Sequence, residues 1–443
     1  MYLDDLAGQL EALAPQLSDS HLERAGLCVL DALACVYGGR RMPWVAQARA
    51  VADAGGAGGS SVWASGGTRR GLVDAVFANS VGCHSLLYED THAESRVHPG
   101  TVVVPAALGV GELVDAPGAD VMRAVVLGYE AIAQVATSTM TAEFVARGWR
   151  ASSVFGPFGA VAAAAYLYGL DRSKAAHALG IAASFSSGVC AWAQDGTTEV
   201  YFQPAAAARD GIVAVLLARA GASGAAGAVD GPFGLRRAFA GAVDRVLGPA
   251  IAADRPAIER SFFKAHPSCA FTQAAIDAAV QLHLRCIEPA TVAGVTVYTS
   301  SAAATYPGCD NPDSLDTSIS RQMSLQFAVA AALVDGRLEP RRYEGTIDSR
   351  LAALAARTRV VVDPDYDRTY PSRLDARVEL LQIDGGQAWA VSADRVDLAP
   401  ASVLDKFRMH AGAELGDDVS EKVIRLLGCS SEWTARDLIG YLT

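Results

Sequence analysis

The feature that most constrains this chain is a succession of helical runs that are apolar nearly all round. Apolar residues recur at helical spacing through roughly 43–54, 70–87, 101–115, 119–138, 153–168, 173–190, 205–221 and 265–286. A helix without a polar face has to be buried on every side, so these runs predict the interior of a large helical body. The apolar fraction of 51% leans on Ala and Val, with aromatics at only 7%. Small side chains let helices approach closely, which suits dense packing. A start signal precedes the series: Ser20-His21-Leu22-Glu23 fits a capping box, Leu27, Leu30, Leu33 and Ala34 carry the apolar face, and Gly38-Gly39 stop it.

The same runs bound the class of protein. The most apolar stretches, such as GAVAAAAYLYGL, are short and Gly-interrupted, below the roughly 18–20 residues that cross a bilayer. The N-terminus, MYLDDLAGQLEAL, is acidic where a signal peptide is basic. Eight cysteines are scattered without a CxxC pair and read as reduced and mostly buried. A cytoplasmic protein without a membrane partner is expected. With 37 Lys and Arg against 48 Asp and Glu the net charge is −11, which lacks the basic footprint of a nucleic-acid binder. A length of 443 residues exceeds one ordinary core and predicts two domains.

The pattern changes near residue 290. Thr291–Thr299 and Thr358–Val362 read as strands, and Arg377–Ile383 and Gln387–Ser392 flank Asp384-Gly385-Gly386, a hairpin signal. A helix at roughly 320–335 lies between the first two strands. Helical runs return at 402–411, 417–427 and 434–442. The glycine-rich segment 55–59 reads as a loop and lacks the arrangement of a phosphate cradle. The expected fold is mainly α: a large all-helical domain over 1–263, a smaller inserted α+β lid over 264–400, and a helical return over 401–443.

Polar residues are scarce in the helical part, so their clustering carries information. Asn79–Pro105 holds three of the eight histidines, His84, His92 and His98, with Glu89, Asp90, Thr91, Glu94 and Arg96 between them. Pro99-Gly100 opens the next helix, whose N-terminus favours a nearby anion such as a substrate carboxylate. Metal binding and general acid–base chemistry both suit such a cluster. No HExxH or other compact zinc spacing is present, so acid–base chemistry without a metal is the preferred reading. The bland alternative is a polar loop that caps two helices.

Taken in order, several segments resemble the MmgE/PrpD family, which includes 2-methylcitrate dehydratase, cis-aconitate decarboxylase and an iminodisuccinate epimerase. They are LDALACVYGG, Asn79 with His84, Glu89-Asp90-Thr91-His92 through His98-Pro99, Gly128-Tyr129-Glu130, GWRASSVFGPFGAVAAAAYLYGLD and ALGIAASFSSGV. Further on come Lys264 to Cys269, Ile276-Asp277-Ala278 and SLQFAVAAALVDG over Ser324–Gly336. The resemblance implies a helical domain with an α+β lid, a homodimer, and an active site between the domains that uses no metal or other cofactor. It also implies proton abstraction beside a carboxylate of a small-molecule substrate.

Carried over residue by residue, the resemblance also marks departures. Asp90, Thr91 and His98 match the family's acidic loop, but Glu89 replaces an Asp and Leu87 stands at its first acidic position. Arg150 stands where the family has a catalytic His, Glu199 where it has a Lys, Gln273 where a His is common and Phe327 where a Tyr is common. Lys264 is kept, and His266 replaces an aromatic residue. His to Arg exchanges a proton shuttle for a permanent cation. The expected catalytic group is therefore His98 and Lys264, with Asp90 and His92. Thr91, Arg150, Glu199, His266, Gln273 and Phe327 are expected to bind substrate, with Arg150 holding a carboxylate or pairing with Glu199. The alternative for His98 is a structural histidine at its helix start. The implied enzyme is a metal-independent lyase or isomerase, repurposed from dehydratase chemistry towards isomerisation, epimerisation or cyclisation in a specialised bacterial-type pathway. A true 2-methylcitrate dehydratase-like hydro-lyase and a non-catalytic binding relative are the alternatives.

Overall fold

The computed structural model describes residues 2–241, 251–392, 397–429 and 432–443. It is mainly α, and most expected helices are present within a few residues of their predicted limits. Pro43–Ala54, Leu72–His84, Gly100–Val114, Gly118–Thr139, Ala151–Leu167 and Arg172–Phe185 form successive helices. Helix Asp19–Gly39 starts earlier than the sequence signal suggested. Its cap is Ser18, whose backbone N–H donates to His21 Nδ1 at 3.3 Å, so Ser20 lies inside the first turn. Residues 57–61 are not loop: Ala57–Ser61 pairs antiparallel with Arg69–Arg70. The run expected from 265 is helical only over Gln273–His283, and the run expected from 205 begins at Glu199.

Small residues set the helix spacing, as the composition implied in general terms. Gly118–Thr139 crosses Ala151–Leu167 at Gly128 and Gly159. A Cβ added at Gly128 would meet Gly159 O at 2.9 Å, and one at Gly159 would meet Gly128 O at 2.9 Å. The two backbones are in contact there, and only glycine leaves the room.

The sheet has the order Thr358–Val362, Val292–Thr299, Ala376–Gln382, Gln387–Ser392, with the first pair parallel and the others antiparallel. Val295, Val297, Val378, Leu380 and Ala390 are buried in one apolar cluster with helices Gln273–His283 and Leu325–Asp335. That cluster continues into Met42, Trp44, Val81 and Tyr201, and Trp44 stacks on Tyr201 at 3.8 Å. The α+β unit therefore shares its core with residues far earlier in the chain. At the other end, helix Pro400–Leu415 returns to Asp19–Gly39. Phe407 meets Tyr37 edge-on at 6.5 Å, and Lys406 Nζ reaches Asp31 Oδ1 at 2.7 Å in full burial.

Candidate active site

Helix Leu72–His84 ends at His84, and the chain then loops back before Gly100–Val114 begins. Leu87 and Arg96 take positive φ in this loop, at 51° and 54°, a conformation that side chains with a Cβ seldom adopt. Two buried lysines hold its carbonyls. Lys264 donates to Leu87 O, and Lys406 donates to Tyr88 O at 2.6 Å. Strand pairing of Thr91–His92 with Ser261–Phe262 ties the loop to the segment that carries Lys264.

These constraints converge on Glu89. Its Oε1 lies 2.9 Å from His84 Nδ1, 3.3 Å from His98 Nδ1 and 3.7 Å from Lys264 Nζ, and Glu89 and Lys264 are fully buried. Burial alone would raise the Glu89 carboxyl, but Lys264, His84 and His98 outweigh it and hold it well below the usual range. On its far side His84 Nε2 faces Arg150 Nη2 at 2.7 Å. Arginine can only donate, so Nε2 accepts and the His84 proton sits on Nδ1 towards Glu89. Burial lowers the pKa of His84 and keeps the ring neutral.

His98 is arranged differently. Its Nδ1 lies 3.0 Å from Thr91 Oγ1 and 3.2 Å from the Asp90 carbonyl oxygen. A carbonyl only accepts, so the proton is on Nδ1 and the Nε2 lone pair is free. Burial, then Lys264, pushes His98 well below the ordinary imidazole value, so it is neutral at pH 7. His98 borders a narrow cleft that opens to solvent. Thr91, Arg150, Lys264 and Arg96 share its wall, and most of the remainder is apolar or aromatic, including Trp192, Phe271, Tyr306 and Tyr370. Arg150 is 5% exposed, its Nη1 has no hydrogen-bond partner, and its guanidinium lies 5.0 Å over the Trp192 ring. Among the described residues, neither Arg150 nor Arg96 is ion-paired with a carboxylate.

Other expected site residues lie elsewhere. Asp90 is buried behind the cleft, where its Oδ1 accepts from Gly100 N–H at 3.1 Å. His92 turns into its own loop, with Nδ1 2.8 Å from Ser95 Oγ. Glu199 is exposed in the first turn of its helix, where the helix dipole favours a carboxylate, and Val200 takes the place on the cleft wall. The expected Arg150–Glu199 pairing is therefore absent, and Arg150 pairs with His84. Phe327 is a core residue packed on Tyr343 at 6.0 Å. Gln273 latches the loop before its helix, with Oε1 accepting from His266 N–H and Nε2 donating to His266 O, each at 3.0 Å. His266 is off the cleft wall, and burial lowers it to about 4. The sequence reading missed the roles of His84 and Glu89. Their presence in the polar segment was the available signal.

Among the described residues no group of three or more His, Cys, Asp and Glu is placed to hold a metal ion. His84, Glu89 and His98 do converge, but both Nδ1 atoms are spent on hydrogen bonds and two cations flank them.

The fold and this cleft define a helical protein with a buried histidine–carboxylate–cation network beside an apolar pocket. The chain belongs to the MmgE/PrpD family: residues 7–245 match the MmgE/PrpD N-terminal domain and residues 266–430 the MmgE/PrpD C-terminal domain. A cis-aconitate decarboxylase-like protein of Aspergillus oryzae is 32% identical over 49% of this chain, which covers 44% of that protein. The cis-aconitate decarboxylase of Aspergillus terreus strain NIH 2624 is 26% identical over 71% of this chain and 68% of its own. Human cis-aconitate decarboxylase is 26% identical over 83% of this chain and 78% of its own. For the first of these, the match spans less than half of the relative's length.

Proposed function

We propose that this chain is a metal-independent, lyase-type enzyme that removes a proton beside the carboxylate of a small substrate. The observation that carries the reading is the neutral His98, with Nδ1 committed and Nε2 free, in a cleft that also holds the unpartnered Nη1 of Arg150. Arg150 would bind the carboxylate through that nitrogen. Nε2 of His98 would take the proton from the adjacent carbon. Arg150 and Lys264 would stabilise the negative charge that develops. Expulsion of a leaving group from the neighbouring carbon follows from this intermediate, and so does reprotonation in an epimerisation, isomerisation or cyclisation. Loss of carbon dioxide would instead form the carbanion directly, with the same cations stabilising it and a proton donor quenching it.

The wall narrows the substrate. Two arginines without carboxylate partners, set among apolar and aromatic side chains, suit one or two carboxylates on an apolar frame better than a tricarboxylate. This supports a reaction repurposed from the family's better-known chemistry. The α+β unit, which supplies Phe271, Tyr306 and Tyr370, would close the cleft as a lid. The relatives' printed names make cis-aconitate the first compound to try, with 2-methylcitrate and smaller dicarboxylates beside it.

The test is turnover by the purified protein, read as alkene absorbance and released carbon dioxide. His98→Gln is expected to lower kcat by about 10²–10⁴ with KM little changed, since it removes proton transfer and not binding. Because His98 is depressed, the acid limb of kcat/KM should fall below pH 6.5. Turnover by His98→Gln at the wild-type rate would overturn the assignment.

A further inference from the structure

Two thiols meet at the wall of the cleft. Cys269 Sγ lies 3.8 Å from Cys309 Sγ. Cys269 borders the cleft with His98, Arg150 and Lys264, and Cys309 is buried behind it. The position of Cys269 is firmly set. Its N–H donates to Gln322 O at 3.0 Å, its carbonyl accepts from Thr272 Oγ1 at 2.8 Å, and Gln273 braces the same turn. The sequence reads the cysteines as reduced and mostly buried, but Cys269 also faces the cleft beside a second thiol and two cations. The hydrogen bond with the Cys309 thiol, in which either sulfur can donate, lowers the Cys269 pKa against the effect of burial, and Phe271 N–H, Lys264 and Arg150 lower it further. In Cys28, Cys35 and Cys83 burial outweighs every neighbour that lowers the thiol, and they are pushed up.

We propose that Cys269 is the proton donor of this cleft, paired with His98 as the acceptor and supported by Cys309. The proposal rests on the proton-transfer reading above. His98 Nε2 takes a proton from the substrate carbon, and the electron pair moves onto the carboxylate-stabilised intermediate. Cys269 then gives its S–H proton to the carbon or leaving group that becomes basic, and the electron pair of that S–H bond stays on sulfur as a thiolate. The Cys309 S–H hydrogen bond and the two cations stabilise that thiolate. His98 ends protonated and Cys269 deprotonated, and proton exchange with water at the open side of the cleft restores both. No oxidant or cofactor enters the balance. His98 is unprotonated at rest and can accept a proton, while the neighbouring thiol and the two cations make Cys269 a stronger acid than an isolated buried thiol.

The first measurement needs no substrate. The full-length protein is alkylated with iodoacetamide across a pH series, and Cys269 is followed by peptide mass spectrometry against the exposed Cys286. Cys269 is expected to react with a midpoint at least one pH unit below that of Cys286, and Cys309→Ala should raise that midpoint. The second measurement is turnover of cis-aconitate or whichever carboxylate the wild type accepts. Cys269→Ala and Cys269→Ser should each lower kcat by 10²-fold or more with KM within about threefold. A Cys269 midpoint equal to that of Cys286, or wild-type kcat in both variants, overturns the proposal. If the wild type turns over no carboxylate, the functional reading falls instead, and the alkylation midpoints alone decide whether Cys269 is an activated acid.

Discussion

Asp90 shows how much a single residue here depends on where it is buried. Its Oδ1 accepts from Gly100 N–H, while Oδ2 has no hydrogen-bond partner and the Asp31 carboxyl lies nearby. Burial first, then Asp31, raises its pKa from 3.8 to about 7. The folded chain therefore binds this proton where the unfolded chain has lost it. The unfolded form binds fewer protons between those two values, so stability falls as pH rises through that window, and the loss is complete above about pH 7. At ~1.4 kcal/mol per unit the cost is of the order of 4 kcal/mol. Asp90→Asn keeps an acceptor for Gly100 and removes the charge. It should raise Tm at pH 8, and its advantage over the wild type should shrink towards pH 5. Equal differences at both pH values would rule this account out. The sequence marked Asp90 as catalytic because it matches the acidic loop of the family the chain resembles. Which face of the loop it occupies depends on the positive φ of Leu87 and the two lysine contacts, and no local pattern encodes those.

Elements were the most legible level. Helical periodicity is local, so the runs over 43–54, 101–115 and 119–138 became helices with almost the same limits. The strands around Asp384-Gly385-Gly386 did likewise. The errors fall where a tertiary contact overrides local pattern. Residues 265–269 read as helix, yet Gln273 and the bonds of Ser268 and Cys269 to Gln322 O hold them in a loop, and regular α-helix begins only at Gln273. The Lys406–Asp31 pair joins residues 375 positions apart, and nothing in either segment announces the other. Close helix packing, by contrast, was implied by the small residues, and it sets up an opposition of sign. Gly128→Ala places a methyl 2.5 Å from Val103 Cγ1 and 2.9 Å from the Gly159 carbonyl. Overpacking of this kind costs about 1–3 kcal/mol, which exceeds the gain of about 1 kcal/mol in helix propensity. At Gly412, in helix Pro400–Leu415, the nearest atom to an added methyl is Asp417 Oδ1 at 3.5 Å. There the propensity gain stands alone. In urea unfolding, Gly128→Ala should move the midpoint down and Gly412→Ala should move it up. A rise at both positions would show that the two helices can separate freely.

At the scale of the whole molecule, the site exists only because distant stretches meet. Thr91 and His98 come from one loop, Arg150 from the start of a helix, Lys264 and Phe271 from a segment over a hundred residues later, and Tyr370 and Leu374 from beyond the parallel strand pair. The polar members were legible because charge is rare in this chain. The aromatic wall was not, since Trp192, Tyr306 and Tyr370 look like any core residues until packing brings them together. A ligand in the cleft touches all of these stretches at once and is bound by the folded chain alone. Its binding free energy is therefore added to folding stability, by about 2.7 kcal/mol at a hundredfold excess over Kd. At roughly 1–2 °C per kcal/mol for a chain of this size, a rise of about 3–5 °C in Tm is expected. Among small carboxylates, those with one or two acid groups on an apolar frame should give the shift, and the matching esters should not. Under the proposed reading Arg150→Gln should abolish the shift, since it removes the guanidinium proposed to meet the carboxylate. It also leaves His84 Nε2 without its donor, so its own unliganded Tm is the baseline. A shift of equal size in Arg150→Gln would place the carboxylate elsewhere in the cleft, with Arg96 as the remaining cation that no carboxylate holds.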